Sequence, residues 1–390
     1  MFSYTLTPEI SRDLARFDVL SKRFDVIGVL PRTWSGRIRR DLEAEAIGAS
    51  VILEGVSVTV DEVRRIFADD RPFGVSEEDV ALVRGYREAM WFVLTRSDDP
   101  YFEWTSETLR TIHTSVMGRS WTARAGRYRE RQNWLQDSST GEQTYLPPAT
   151  EDVARFVDEL VQWLSGPAGE VEVLVRAALA HVMLAAIHPF ADGNGRTARI
   201  LASLVMYRGG CRMPAFTSLE EWWGSHPADY YAAFECLGDM WNPTADVTQF
   251  VAAHVAAQRT QAEALALRFA TERVLWAVLE DIVVHDLDMD SRVANALWEG
   301  FFGREVTNRY YRGIADIPQV TASHDLKQLA TSGLMDAVGE GRSRAYFGTM
   351  DLARRVTSAL DLQVDVAGIG AIEAEVRGDI MAAVAAMEAR

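Results

Sequence analysis

The chain lacks the features that mark secreted, disulfide-rich or membrane-spanning proteins. Its two cysteines, Cys211 and Cys236, are too few for a disulfide framework and lack the paired spacing of a zinc site. No apolar run reaches the roughly 18 residues that cross a bilayer, because Arg176 and His181 interrupt the longest one, at 171–187. The N-terminus also lacks the basic-then-apolar pattern of a signal peptide. We therefore expect a cytoplasmic protein with no membrane partner.

Basic residues are in the minority. The 390-residue sequence has 40 Lys and Arg against 56 Asp and Glu, a net charge of −16. An acidic surface disfavours non-specific binding to nucleic acid or to an anionic membrane, although one locally basic face is not excluded. The hydrophobic fraction of 48% is ordinary for a globular protein, and a chain of this length predicts two or three domains.

Helical periodicity dominates, which predicts a mainly α protein. The charged, alanine-rich segment 37–49 favours a helix, and Gly55 is suited to end it with a left-handed cap. Thr59 followed three residues later by Glu62 predicts a capping box at the start of the next helix. We divide the chain into 1–75, 76–258, 259–350 and 351–390, with a helix and a domain boundary in the stretch that begins at Arg259.

One segment departs from the helical pattern. Strand-like residues lie on both sides of the turn sequence 137–141, and Pro147 and Pro148 follow. This order predicts a β-hairpin over about 126–146.

The C-terminal part has the pattern of a winged helix-turn-helix. Residues 307–347 predict a helix, a turn, a second helix at 321–331 and a hairpin wing. The region 301–350 is nearly neutral rather than basic. Protein recognition or a homodimer is therefore favoured over DNA as the partner of this module. The tail at 370–390 predicts a final helix.

The most informative stretch is 188–199, which reads His-Pro-Phe-Ala-Asp-Gly-Asn-Gly-Arg-Thr-Ala-Arg. Pro189 and the two glycines interrupt a helix, so this is a loop between two helices. Backbone amides of Gly193, Asn194 and Gly195 at the start of the second helix suit an anion. This is the pattern of a phosphate site.

Charged and titratable residues complete the pattern. Arg196 and Arg199 are three apart and face the same side of a helix, as a polyphosphate cradle requires. Asp192 is placed to hold Mg²⁺, which uses few carboxylates together with phosphate oxygens. His188 can take a proton near neutral pH. The implied reaction is attack of a hydroxyl on a nucleotide phosphate. The alternative is a structural turn with a structural histidine. It accounts well for any one of these residues but poorly for all of them occurring together in this order.

The stretch 188–199 resembles the signature of Fic-domain proteins, His-Pro-Phe-x-Asp/Glu-Gly-Asn-Gly-Arg-x-x-Arg, at every specified position. The resemblance implies a Fic-type helical bundle that transfers AMP from ATP to a Ser, Thr or Tyr hydroxyl of a protein. It makes His188 the base, Asp192 the ligand of Mg²⁺ or Mn²⁺, and Arg196 and Arg199 the phosphate-binding cations. A kinase-like variant of the family has lysine where this chain has Gly193, so AMP transfer is favoured over phosphorylation.

Two further segments fit this resemblance. The hairpin at 126–146 is similar to the family's flap, which pairs with an extended segment of the target protein. Tyr230 and Tyr231 resemble a tyrosine pair that borders the adenine pocket, with packing in the core as an equal alternative. His181 is interpreted as structural.

Residues 50–55, Ser-Val-Ile-Leu-Glu-Gly, resemble the family's inhibitory motif Ser/Thr-x-x-x-Glu-Gly/Asn. The motif, with Ser50 at its start, implies that Glu54 pairs with Arg199 and displaces the γ-phosphate of ATP. The alternative is a solvated glutamate at a helix end.

Other functions stay open at this stage. Within the enzyme class they are removal of AMP from a modified protein and transfer of another nucleotide. Outside it, the chain would be a DNA-binding transcription regulator with the Fic domain as its sensor. The acidic run 286–290 lacks the glycine and glutamate of a calcium loop.

Overall fold

The structure is a computed structural model that describes residues 2–27, 32–67, 72–118, 124–136, 142–211, 219–341 and 344–388, without the side chains of 23–41. It is mainly helical, as the sequence predicts. The chain divides into two compact units, one of residues 1–30 and 38–263 and the other of 31–37 and 264–390.

The first unit is a set of helices with one small hairpin. Its strands are β1 (Leu135–Gln136) and β2 (Gln143–Tyr145). Its helices are α1 (Pro8–Ile27), α2 (Arg32–Ile52), α3 (Val60–Phe67), α4 (Glu77–Ser97), α5 (Ser106–Val116), α6 (Val153–Ser165), α7 (Val173–Ile187), α8 (Asn194–Arg208), α9 (Leu219–Ser225), α10 (Pro227–Ala232) and the first part of α11 (Thr248–Asp281).

The core of this unit is built around α7 and α8. Helix α7 is apolar on nearly every side and is buried along almost its whole length, as expected for a helix without a polar face. It packs against α6 and α8, and α8 packs in turn against α4 and α5. The loop between α7 and α8 is therefore held at both ends by the most buried helices of the unit.

Two local predictions of the sequence are confirmed near α2. Gly55 follows the helix with a φ of +84°. The capping box forms at the start of α3, because the backbone N–H of Thr59 donates to Glu62 Oε2 at 2.7 Å and that of Glu62 donates to Thr59 Oγ1 at 3.2 Å. Such paired contacts satisfy two backbone donors that the helix leaves free.

The predicted hairpin is also present. Strands β1 and β2 pair antiparallel with Leu135 opposite Tyr145, while the turn sequence at 137–141 lies outside the described residues. After β2 the chain continues into a parallel bridge between Leu146 and Met240. One long edge of the hairpin is thus fixed to the body of the unit.

The second unit contains the end of α11 and the elements that follow it. They are α12 (Ala294–Phe301), β3 (Val306–Thr307), α13 (Asn308–Ala315), α14 (Gln319–Thr331), β4 (Met335–Val338), β5 (Ala345–Gly348), α15 (Met350–Ala359) and α16 (Ala374–Glu388). The three strands form a small antiparallel sheet in the order β3-β5-β4. The helix-helix-hairpin order of the sequence prediction is present in α13, α14, β4 and β5, and α14 begins two residues before the predicted start at 321.

Helix α11 differs from the sequence expectation. The sequence predicted a new helix beginning at Arg259, whereas one helix of 34 residues runs through that position. The segment contains neither glycine nor proline, so nothing in it interrupts the backbone hydrogen bonds. Among all the helices of the described ranges, none is long and apolar enough to cross a membrane.

Gly85 gives a test of the packing between α4 and the end of α5. A Cβ atom at this position would lie 2.2 Å from the carbonyl oxygen of Ser115 and 2.7 Å from the backbone nitrogen of Gly118. Both are backbone atoms, which do not move aside cheaply. We expect Gly85→Ala to lower the free energy of unfolding by roughly 1–3 kcal/mol, as overpacking does.

The matched control is Gly48→Ala in α2, where the new methyl group meets Val60 and Val63 at ordinary contact distances of 3.7 Å. Replacing a helical glycine there should stabilise by roughly 0.5–1 kcal/mol. Urea unfolding followed by circular dichroism measures both. Equal effects of the two substitutions would contradict the close approach of α4 and α5.

Two buried histidines make stability depend on pH. His254 of α11 lies against His181 of α7, with ring centroids 5.6 Å apart, and neither nitrogen of His254 has a hydrogen-bond partner among the described residues. Burial lowers the pKa of His254 to about 3 and holds that of His181 well below its usual value. Both rings are therefore neutral in the folded protein at physiological pH.

We expect the free energy of unfolding to fall as the pH drops below about 6.5, because the unfolded chain then binds protons that the folded rings refuse. Each such histidine contributes about 1 kcal/mol per pH unit. His254→Phe should reduce this slope between pH 6 and 5, as measured by denaturant unfolding at each pH. An unchanged slope would show that His254 is not buried in its neutral form.

Candidate active site

The loop between α7 and α8 begins and ends in left-handed backbone. Helix α7 ends at Ile187, and His188 caps it with φ 50° and ψ 56°. Helix α8 starts at Asn194, after Gly193 with φ 74°. Left-handed backbone is costly for a residue other than glycine, so the conformation of His188 must be held by its surroundings.

The imidazole of His188 is oriented by its own helix. Its Nδ1 donates to the carbonyl oxygen of Ala185 at 3.2 Å, which leaves Nε2 as the nitrogen that can accept a proton. Burial lowers the pKa of His188 to about 4, against the opposing effect of the hydrogen bond to Ala185. The ring is therefore neutral and basic at Nε2 near pH 7.

The Gly-Asn-Gly turn is closed by its own asparagine. The Oδ1 atom of Asn194 accepts from the backbone N–H of Phe190 at 2.9 Å, and its Nδ2 donates to the carbonyl of Phe190 at 2.9 Å. Gly193 has a φ of +74°, where a side chain would be strained, and a Cβ there would also lie 2.5 Å from Met117 Sδ. The side chain of Asn194 shapes the turn, and the amides at the start of α8 remain the groups suited to an anion.

Arg199 is buried completely and donates to polar groups from two segments of the chain. Its Nη2 donates to Glu54 Oε1 at 3.0 Å and to the carbonyl of Ser50 at 3.1 Å. Its Nε donates to Ser50 Oγ at 3.1 Å, and its Nη1 donates to the Tyr230 hydroxyl at 3.2 Å. The pair of Glu54 and Arg199 that the sequence predicts is thus in direct contact.

Glu54 also reaches the second arginine. Its Oε2 is 3.8 Å from Arg196 Nε, while Arg196 Nη2 is 3.4 Å from Asp192 Oδ2. A Cβ at Gly195 would lie 2.7 Å from Glu54 Oε1. The glutamate carboxylate therefore lies against the first turn of α8 and between both arginines.

Two further buried polar side chains, those of Tyr86 and Glu220, lie near Arg199. Tyr86 lies close enough for the charge of Arg199 to lower its pKa, and its hydroxyl donates to Glu220 Oε1. Burial and the Glu220 carboxylate raise the pKa of Tyr86 well above its usual value. Glu220 is thus a second buried carboxylate linked to the cation of Arg199.

The two predicted tyrosines differ in environment. Tyr230 is buried, and its hydroxyl lies 3.3 Å from His181 Nε2 as well as accepting from Arg199, which is the environment of the core-packing alternative. Tyr231 is 58% exposed, and its hydroxyl donates to the carbonyl of Leu53 at 3.1 Å. Tyr231 therefore contacts the same turn that carries Glu54.

Asp192 is accessible for a metal ion. One of its oxygens accepts from the backbone N–H of Gly193 at 2.7 Å, and its side chain is 68% exposed. The described residues contain no group of three His, Cys, Asp or Glu side chains that could hold a metal alone. One accessible carboxylate beside backbone amides suited to an anion fits Mg²⁺, which completes its coordination with ligand oxygens and water.

Two residues that hold the loop were missed by the sequence reasoning. His113 of α5 accepts from the Gly126 amide at Nδ1, at 2.8 Å, so its Nε2 donates to the carbonyl of Asp192 at 3.0 Å. Its ring stacks on Phe190 with a centroid distance of 3.7 Å, and burial lowers its pKa to about 4. His113 therefore fixes the backbone that presents Asp192.

Arg129 does the same for His188. Its backbone N–H donates to the carbonyl of Pro189 at 2.9 Å, and its Nε donates to the carbonyl of His188 at 3.0 Å. Its remaining donors bind Thr150 and Pro148 beyond the hairpin. No spacing rule identifies such a residue, and its place in the hairpin segment was the only available signal.

Comparisons with known proteins cover this region. Residues 103–206 match the model of the Fic/DOC family. Protein adenylyltransferase Fic of Nematostella vectensis is 35% identical over 129 residues, which are 33% of this chain and 29% of that protein. Protein adenylyltransferase fic-1 of Caenorhabditis elegans is 30% identical over 199 residues, 49% of this chain and 36% of that protein. The match spans about a third of the length of these relatives.

Solved structures share the fold. A Fic family protein from Desulfovibrio desulfuricans superposes with a TM-score of 0.60 at 20% identity, over 90% of this chain and 98% of that one. Fic-1 of C. elegans superposes with a TM-score of 0.54 at 24% identity, over 67% of this chain and 71% of that one. Residues 103–206, which carry the loop between α7 and α8, thus match the Fic/DOC family model, and the fold is that of the solved Fic structures.

Proposed function

We propose that the protein transfers AMP from ATP to a Ser, Thr or Tyr hydroxyl of a target protein, and to itself, and that Glu54 restrains this activity. The main support for AMP transfer is a neutral His188, with Nε2 available, in the loop that leads into a helix with two arginines. The names of the relatives, protein adenylyltransferases, agree with it.

In this mechanism His188 Nε2 takes the proton of the target hydroxyl, and the oxygen attacks the α-phosphorus of ATP. The new bond joins the oxygen to AMP, and the bond to the β-phosphate breaks to release pyrophosphate. The amides at the start of α8 and the guanidiniums of Arg196 and Arg199 stabilise the charge of the phosphates, which is the main source of catalysis in phosphoryl-type transfer. A Mg²⁺ or Mn²⁺ ion held by Asp192 would neutralise further phosphate charge.

Restraint by Glu54 follows from charge. Its carboxylate contacts Arg199 at 3.0 Å and approaches Arg196, so it occupies the cations that the γ-phosphate requires. It also repels that phosphate. ATP that binds beside Glu54 would hold its α-phosphate out of line with the incoming oxygen.

Removal of AMP from a modified protein is the second proposal within the enzyme class. The observation that favours it is the Glu54 carboxylate beside the first turn of α8, where it can orient a water molecule toward a phosphoester. The same residue would then restrain one reaction and assist its reverse. Transfer of another nucleotide, such as UMP or GMP, remains an alternative.

Two further proposals concern binding partners and do not depend on the reaction. We propose that the target protein binds along the hairpin at 126–146, and that the C-terminal helices α13 and α14 serve protein recognition, including a homodimer, in preference to DNA.

We predict that Glu54→Gly raises incorporation of labelled AMP into the protein by about tenfold or more, since a charge-assisted contact of about 1.5–3 kcal/mol is removed. Glu54→Gln keeps the shape without the charge and should give a smaller rise. Autoradiography after incubation with α-labelled ATP measures both. Equal labelling of the native protein and Glu54→Gly would sink the proposed restraint.

We also predict that His188→Ala, made together with Glu54→Gly, lowers AMP transfer by roughly 10²–10⁴-fold, the usual contribution of a general base. ATP affinity, measured by calorimetry, should change little because the arginines remain. The matched control is His285→Ala, which replaces an exposed histidine and should leave transfer unchanged. Full turnover without the His188 imidazole would rule out its role as the base.

A further inference from the structure

The imidazole of His113 in α5 is buried and is bonded on two sides. It is 1% exposed. The backbone N–H of Gly126 donates to its Nδ1 at 2.8 Å, so Nδ1 carries no proton, and Nε2 therefore donates to the carbonyl oxygen of Asp192 at 3.0 Å. Because each nitrogen has one role, both the tautomer and the direction of the ring are determined. The ring is thus a fixed donor aimed at one peptide of the loop between α7 and α8.

Further contacts keep the ring of His113 in that place. Gly126 is itself held on α5, because its carbonyl oxygen accepts from Arg110 Nε at 2.7 Å. On the loop side, the ring of His113 stacks on that of Phe190, with 3.7 Å between the centroids and an interplanar angle of 2°. A Cβ on Gly193 would lie 3.4 Å from His113 Nε2. The imidazole therefore lies against the loop on both sides of the residue between them, Asp192.

The carboxylate of Asp192 has only local contacts to restrain it. Its side chain is 68% exposed, with Oδ2 at 3.4 Å from Arg196 Nη2, and Oδ1 accepts from the adjacent amide of Gly193 at 2.7 Å. A bond to the next residue moves with the backbone. Gly193 has a φ of +74°, and glycine allows the peptide before it several orientations. The place of the carboxylate is therefore set by its backbone, whose carbonyl is bound by His113.

We infer that His113 is a positioning residue for Asp192, because its bond to the Asp192 carbonyl holds the carboxylate where it can bind the divalent cation that accompanies ATP. The inference rests on the proposed function, in which Asp192 is the metal ligand. His113 acts through the peptide of Asp192 and Gly193 rather than on the nucleotide or the metal. Replacing a group that orients a metal ligand typically costs about 10- to 100-fold in metal affinity.

The test compares two amide side chains at position 113, each of which keeps one of the two hydrogen bonds. The amide nitrogen of Gln reaches the place of Nε2, so His113→Gln can still donate to the carbonyl of Asp192. The shorter His113→Asn reaches the place of Nδ1, so it can accept from Gly126 but loses the bond to Asp192. Both variants lose the stack on Phe190, and each is therefore the control for the structural cost of the other.

The full chain carries Glu54→Gly and His188→Ala, so that ATP binds without restraint and is not consumed. Calorimetry then measures ATP affinity at a series of Mg²⁺ concentrations. We expect Mg²⁺ to raise this affinity. The half-saturating Mg²⁺ concentration should increase about 10- to 100-fold in His113→Asn and by less than about threefold in His113→Gln. The Mg²⁺ dependence of self-labelling should show the same order when His188 is retained.

Two controls show whether the effect passes through Asp192. In chains that also carry Asp192→Asn, both variants at position 113 should have the same Mg²⁺ dependence, because the ligand that they position is gone. His254→Asn replaces a buried histidine that packs against His181 and should leave the Mg²⁺ dependence unchanged. Circular dichroism confirms folding. If His113→Asn does not fold, His113→Phe, which keeps an aromatic ring and loses both bonds, takes its place.

The outcomes separate this inference from the function beneath it. Equal Mg²⁺ dependence in His113→Gln and His113→Asn would overturn the positioning role, and so would a difference that persists with Asp192→Asn. If Mg²⁺ left the ATP affinity of the parent chain unchanged, the metal role of Asp192 would fail together with the inference. Absence of self-labelling in every chain would overturn the proposed transfer alone, since the calorimetric comparison would still decide the role of His113.

Discussion

The buried guanidinium of Arg199 is the charge around which the first unit is organised. A cation removed from water costs several kcal/mol unless its donors are satisfied and its charge is balanced. Here the C-terminal turn of α2 supplies Ser50 and Glu54, and α10 supplies the hydroxyl of Tyr230. The buried carboxylate of Glu220 in α9, which accepts from the Tyr86 hydroxyl, adds to this compensation. Segments far apart in the sequence thus share one electrostatic requirement, and that requirement fixes α8 against them.

The groups that contact Arg199 differ in whether a bound phosphate could take their place. Ser50, Tyr86 and Glu220 are buried and offer no path to solvent, so they compensate the cation whether or not a ligand is present. Glu54 is partly exposed and lies on the side of the loop, where a phosphate would arrive. A phosphate and Glu54 are both anions and make the same kind of bond to the same nitrogen. In the proposed function they are alternatives at one position, while the buried groups keep Arg199 in place during the exchange.

The sequence predicted the features that depend only on residues close together in the chain. The loop at 188–199, the capping box of Thr59 and Glu62 and the left-handed Gly55 depend on neighbours a few residues apart. His113, Arg129 and Glu220 were missed because their partners lie 79, 59 and 134 residues away, and only the packed fold makes them neighbours. A new helix was expected at Arg259, but the sequence between Thr248 and Asp281 contains no helix breaker and forms one continuous helix.

The long-range contacts of Arg129 connect the hairpin segment with His188, the proposed base. His188 is held in a left-handed conformation that histidine does not favour, and the carbonyl it exposes there is bound by Arg129. Arg129 also holds both ends of the hairpin segment, through Pro189 on one side and Pro148 and Thr150 on the other. The backbone that would align a target strand and the backbone that carries the proposed base are therefore bonded to one buried side chain. In the proposed function, a target segment that paired with β1 would therefore be positioned against backbone that is bonded to the same arginine as His188.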